Sequence, residues 1–139
     1  MERTATRSTA RSCVVGSAHA GLRSTLEALA RREGYEVVGD AATGGETLTL
    51  VERHEPTLAL VDERLALPLV AELVAALGTS GSLLVHAGEL SGGGVARLLE
   101  GGAQAIVLSA VPPTALVEAL RAVQRGERYL DPALPAPTP

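Results

Sequence analysis

Apolar and polar positions alternate in blocks along the chain. A short apolar run, a turn, and a stretch with apolar residues every three or four positions recur five times. Cys13-Val14-Val15-Gly16 opens the series as a strand, and Leu22, Leu26 and Leu29 follow at helical spacing until Gly34 supplies a stop. Glu36–Asp40 reads as a second, more edge-like strand. Thr43-Gly44-Gly45-Glu46 has the capping-box pattern and predicts a helix that carries Leu48 and Val51 and ends before Pro56. Thr57-Leu58-Ala59-Leu60-Val61-Asp62 is an unbroken apolar run ending in a carboxylate. A run this short reads as a central parallel strand covered on both faces.

Pro68 suits a first helical position, with Leu69, Val70, Leu73, Val74 and Leu77 behind it and Gly78 past the end. Ser82–Val85 predicts a fourth strand with His86 at its end. Ser91 can cap a fourth helix, but Gly92-Gly93-Gly94 fills its first turn. Each glycine costs roughly 0.8–1 kcal/mol against alanine, so this helix is expected to fray. Ala103–Leu108 predicts a fifth strand, and Pro112-Pro113 leads into a helix with Leu116, Val117, Leu120 and Val123, stopped by Gly126. Five strand–helix units predict an α/β fold with one doubly wound parallel sheet. Residues 12–132 form that domain. Residues 1–11, Ser, Thr and Arg around Ala, predict a disordered arm, and residues 133–139 a Pro-rich tail or linker.

Composition narrows the chemistry. A chain of 139 residues fits one domain that needs neither disulfide nor metal to fold. There is no Phe or Trp, so the core must be Leu, Val and Ala. The single Cys13 excludes a disulfide framework, and zinc-site spacings are absent. No apolar run approaches a membrane span and no signal-peptide pattern is present, so a cytoplasmic location is expected. The formal charge of −4 argues against nucleic acid as a direct partner of this domain. All 12 basic residues are Arg, which closes any mechanism that needs a lysine ammonium.

In open α/β sheets ligands collect beyond the carboxyl ends of the strands, where Asp62 stands. His19 and His86 fall at the same edge. Two histidines and a carboxylate can bind Zn²⁺ or Fe²⁺, but no supporting residues accompany them and no metal is expected. Gly16–Gly21 has phosphate-loop spacing, yet Leu22 and Arg23 stand where Lys and Ser or Thr are required. A tight strand-to-helix turn accounts for it. Gly92–Gly94 could open an anion-binding helix, but a loose loop is the better reading. Arg121, Arg125 and Arg128 compensate a helix dipole.

The chain resembles response-regulator receiver domains of the NarL/FixJ type from about Cys13 to Asp131. The resemblance is carried by Tyr35-Glu36-Val37-Val38-Gly39-Asp40-Ala41, Pro56–Asp62, Val111-Pro112-Pro113, Glu118–Val123 and Gly126–Pro132. It implies a flavodoxin-like fold of five strands in the order 2-1-3-4-5 with five helices, and a phosphoacceptor at Asp62. The departures are pronounced. The acidic pair that holds Mg²⁺ in the family is Ser17 and Ala18, and the lysine ending the fifth strand is Ser109. The hydroxyl residue ending the fourth strand is His86, or Ala87, and the fifth-strand aromatic is Ile106, while His19 is kept.

The resemblance with these departures implies a pseudo-receiver in two-component or phosphorelay signalling and transcription regulation. It would not be an enzyme, would bind Mg²⁺ weakly or not at all, and would use no other cofactor. It would act through a protein partner or self-association, reach DNA only through a further C-terminal domain, and have no membrane contact. Two alternatives stand beside it: a conventional receiver phosphorylated at Asp62, and a small-molecule sensor at the crevice between strands 1 and 3. With metal and lysine gone, His86 is expected to hydrogen-bond Asp62 directly or through a bridging water and to have a raised pKa. The alternative is that Ala87 takes the hydroxyl position and His86 points away into a helix layer or solvent.

Overall fold

The computed structural model describes residues 11–109 and 113–138. The sheet is parallel throughout, in the order β2-β1-β3-β4-β5-β6. Its strands are β1 (Ser12–Gly16), β2 (Glu36–Ala41), β3 (Leu58–Asp62), β4 (Ser82–Ala87), β5 (Ala105–Leu108) and β6 (Tyr129–Leu130). The first five take the expected flavodoxin-like order. Five helical crossovers join the strands: α1 (Ala20–Arg32), α2 (Gly44–His54), a broken third, α5 (Gly92–Gly101) and α6 (Thr114–Gln124). The third comprises α3 (Glu63–Ala66), a 3-10 turn (Leu67–Leu69) and α4 (Val70–Leu77).

Alternation along each strand divides the core into two layers. Cys13, Val15, Leu58, Leu60, Leu84, Ala105 and Val107 face Leu26 and Leu29 of α1 and Leu116 and Leu120 of α6. Val14, Ala59, Val61, Leu83, Val85 and Ile106 face α2, α4 and α5 through Val51, Leu73, Leu77, Val95 and Leu98. Every residue of β3 is buried, as a strand covered on both faces must be. Each fully buried leucine there contributes about 1.5–3 kcal/mol relative to exposure.

Three features differ from the expectations. The third crossover turns helical immediately after β3, and Pro68 sits inside the 3-10 turn rather than opening a helix. Pro68 has no N–H to donate, which favours a break there over a continuous α-helix. A sixth strand, two residues long, pairs with β5, so Gly126–Pro132 is part of the sheet edge rather than a plain connection. Asp131 fixes this edge: its N–H donates to the Ile106 carbonyl at 2.9 Å and its carboxylate accepts from Leu108 N at 3.0 Å.

The glycines of α5 have a packing role. Ser91 caps the helix by accepting from Gly94 N at 3.0 Å. A Cβ on Gly92 would lie 2.5 Å from the Ala136 carbonyl oxygen, and one on Gly101 2.6 Å from Val70 Cγ1. The residues expected as a tail run against this helix start: Leu134 packs on the second core layer and Thr138 N donates to the Gly92 carbonyl at 3.1 Å. The arm expected at 1–11 lies outside the described residues apart from Arg11, as do Val111 and Pro112 of the quoted Val-Pro-Pro stretch.

Gly92→Ala should displace the terminal segment, because the new methyl meets backbone rather than a flexible side-chain end. Amide exchange at Thr138 should then rise to that of an unstructured peptide. Gly93→Ala, whose methyl meets only ordinary contacts at 3.8 Å, should leave Thr138 protected.

Candidate functional site

The same alternation that builds the core builds the site. Continuing β1 by one residue places Ser17 on the α1/α6 face, and the last residues of β3 and β4 add Asp62 and His86 to it. Asp62 and His86 are direct cross-strand neighbours. Ser17, Asp62 and His86 are all buried, His86 to 5% exposure. Asp62 and His86, with His19, Leu22, Glu63, Arg64, Gly88 and Ser109, line a cavity of about 250 Å³ at the carboxyl end of the sheet. A larger, shallow concavity of about 550 Å³ lies away from it, beside Asp40 and α2.

Both Asp62 oxygens are engaged. Oδ2 accepts from the Ser17 hydroxyl at 3.3 Å, and Oδ1 accepts from Arg64 N at 3.2 Å, which makes Asp62 the N-cap of α3. Ser17 Oγ also lies 3.4 Å from the His19 carbonyl. Its single proton serves the carboxylate better, since an ionised acceptor makes the stronger bond. Arg23 Nη1 donates to the Ser17 carbonyl at 2.7 Å and holds the turn after β1.

Among the described residues His86 makes no direct hydrogen bond to Asp62, whose oxygens are taken by Ser17 and the Arg64 backbone. Among the described residues Nδ1 of its buried ring has no hydrogen-bond partner. Side chains of paired residues in a parallel sheet stand upright beside one another. The His86 imidazole therefore rises towards α1 and α6 while Ser17, on the other flank of β3, reaches the carboxylate. The direction of the pKa shift reverses as well. Burial, which penalises the imidazolium, lowers the His86 pKa, and the Asp62 charge opposes this without overcoming it.

The remaining residues take separate positions. Ala18 is exposed and carries no donor. His19 is exposed and uses Nδ1 to accept from Leu22 N at 3.1 Å as the N-cap of α1. Ala87 is buried as the last residue of β4, and Ser109 follows β5 at the cavity rim. Sequence reasoning missed Glu63. Burial, and then the adjacent Asp62 carboxylate, raise its pKa, against Arg64 and a hydrogen bond from the Gly88 backbone. Its position directly after Asp62 is the only sequence signal for it. Cys13 is sealed in the core and burial pushes its thiol up to about 12, so it is no nucleophile.

This fold is that of response-regulator receiver domains. A LuxR-family two-component response regulator from Aurantimonas sp. superposes with a TM-score of 0.78 at 22% identity, covering 89% of this chain and 91% of that one. A CheY-like receiver domain protein from Methanospirillum hungatei gives 0.75 at 24% identity, covering 85% and 96%. A structure of two RcsB dimers bound to two parallel DNAs gives 0.73 at 16%, covering 88% and 64%. In sequence, the transcriptional regulatory protein PdtaR of Mycobacterium tuberculosis is 36% identical over 55 residues, 40% of this chain. The match spans 27% of that relative's length. No protein-family model matches the chain. Among the described residues no helix is long and apolar enough to cross a membrane.

The lowered His86 pKa sets a pH dependence. Below the unfolded value of 6.5 the unfolded chain binds the proton first, so stability is full above 6.5 and falls as pH drops towards the folded value. His86→Gln should remove this decline: the stability difference from wild type should shift below pH 6.5 and be constant above pH 7. In Asp62→Asn, losing the opposing charge should move the His86 NMR titration midpoint lower still.

Proposed function

We propose that this domain is a receiver-like signalling module that acts by protein–protein contact, through a partner or self-association, and not by phosphoryl transfer to Asp62. The engagement of both Asp62 oxygens by Ser17 and the Arg64 backbone is the observation that carries this reading. Phosphoryl transfer is positioning plus neutralisation of charge on the transferred oxygens. Around Asp62 the fold offers short hydroxyls, Ser17 and Ser109, at positions where that chemistry needs carboxylates for a metal and an ammonium.

The residues present do not fit Mg²⁺. The ion demands near-octahedral oxygen ligation and loses water reluctantly. Among the described residues no three His, Cys, Asp or Glu side chains group closely enough to hold an ion. Ala18 contributes no ligand. Arg64 brings a positive charge to the cavity, but its side chain makes no bond to Asp62 among the described residues.

Transcription control is the setting that the comparisons support, through the LuxR-family regulator and PdtaR. RcsB shows the same fold in dimers bound to DNA. Contact with DNA by this protein would fall to a further domain. Leu130 is the one large apolar side chain exposed among the described residues, which favours a polar, reversible contact over an obligate interface. A cytoplasmic location follows from this role.

The test is the mass of the intact protein after incubation with acetyl phosphate and Mg²⁺. Wild type should show no stoichiometric phosphoryl adduct. Ser17→Asp, Ala18→Asp and Ser109→Lys combined should acquire one at Asp62, each restored electrostatic group being worth on the order of a hundredfold in rate. An adduct on wild type that disappears in Asp62→Asn would establish a conventional receiver instead.

A further inference from the structure

A second cavity, about 200 Å³, adjoins the site on the α1/α6 face. Its walls are Leu22, Leu26 and Leu29 of α1, with Thr25 among them, and Leu116 of α6. Leu22, His86 and Ser109 line both this cavity and the one beside Asp62. His86 is therefore not a core residue that ended up polar. It is a buried imidazole standing between four leucines and a carboxylate, with no bond from Nδ1 among the described residues.

A neutral imidazole has one N–H donor and one acceptor nitrogen, and burial without a partner is costly for Nδ1 in either role. Nothing among the described residues fixes its tautomer or its orientation about the Cβ–Cγ bond. A ligand hydroxyl can select the orientation that presents a nitrogen to it. The leucine walls demand a mainly apolar body, and among the described residues no charged side chain lines this cavity. An apolar cavity of about 150 Å³ accommodates benzene, so this one holds a single aromatic ring with a small substituent.

We infer that the cavity between α1 and α6 is a binding site for a small neutral aromatic alcohol, its ring among the four leucines and its hydroxyl hydrogen-bonded to His86. The site uses neither Asp62 oxygen, so it does not depend on whether Asp62 accepts phosphate. It also differs from a crevice between strands 1 and 3, because its floor lies at the ends of β4 and β5.

Phenol is the probe, titrated into the full chain and followed by NMR at the His86 ring and the leucine methyls. Expected are saturable shifts at His86, Leu26 and Leu116, with nuclear Overhauser contacts from the phenol ring to those leucine methyls. Benzene, lacking the hydroxyl, should bind up to about tenfold more weakly, the worth of one hydrogen bond. His86→Leu should lose the preference for phenol. No saturable shift, contacts to other residues, equal binding of benzene, or a preference that survives in His86→Leu would each overturn the inference. If His86→Leu does not fold, the wild-type phenol–benzene comparison with the mapped ring contacts decides.

Discussion

Burial of β3 on both faces is the constraint on which the rest depends. A strand with no solvent face can sit only at the centre of a doubly wound sheet, and its side chains must alternate between two helix layers. That alternation ends at Asp62, which emerges on the α1/α6 face beside a cavity. The neighbouring strands are in register with it, so Ser17 and His86 arrive on the same face at the same height. The composition of the site thus follows from three strand ends, and its chemistry from which residues occupy them.

Those occupants change the kind of work the site can do. A carboxylate hydrogen-bonded by a hydroxyl and a helix-start amide is comfortable as it stands. Asp62 caps α3, and that structural role is sufficient reason for an aspartate there. The adjacent Glu63 and Arg64 are placed by the same early helical turn, which begins at the strand end instead of after a loop.

Much of this was legible in the sequence. Period-two and helical spacing, with Gly34, Gly78 and Gly126 past the helix ends, located the five strand–helix units, and all three glycines adopt positive φ. The strand order came from the resemblance, and the register of Asp62 with His86 followed from that order. Adjacency of Asp62 and His86 did not bring a direct bond between them. Neighbouring Cα positions do not say which way a ring stands, and a serine one residue beyond β1 was the nearer donor. The two-residue β6 has too few positions to show alternation. The glycines of α5 read as weakness because propensity considers a helix alone, whereas Gly92 and Gly101 are set by what packs on them.

The electrostatics give the last step. A domain that relays a signal needs some change at its site that the rest of the fold can feel. Burial holds His86 neutral at ordinary pH, so protonation does not supply that change. Asp62 is already bonded on both oxygens, by the Ser17 hydroxyl and the Arg64 backbone. The imidazole is different: it lies between α1, α6 and the sheet, touches two cavities, and its Nδ1 has no hydrogen-bond partner among the described residues. A group that supplies one must enter between the two helices of one face. Its binding energy is then spent where it can alter how α1 and α6 sit on the sheet, and so what the face presents to a partner.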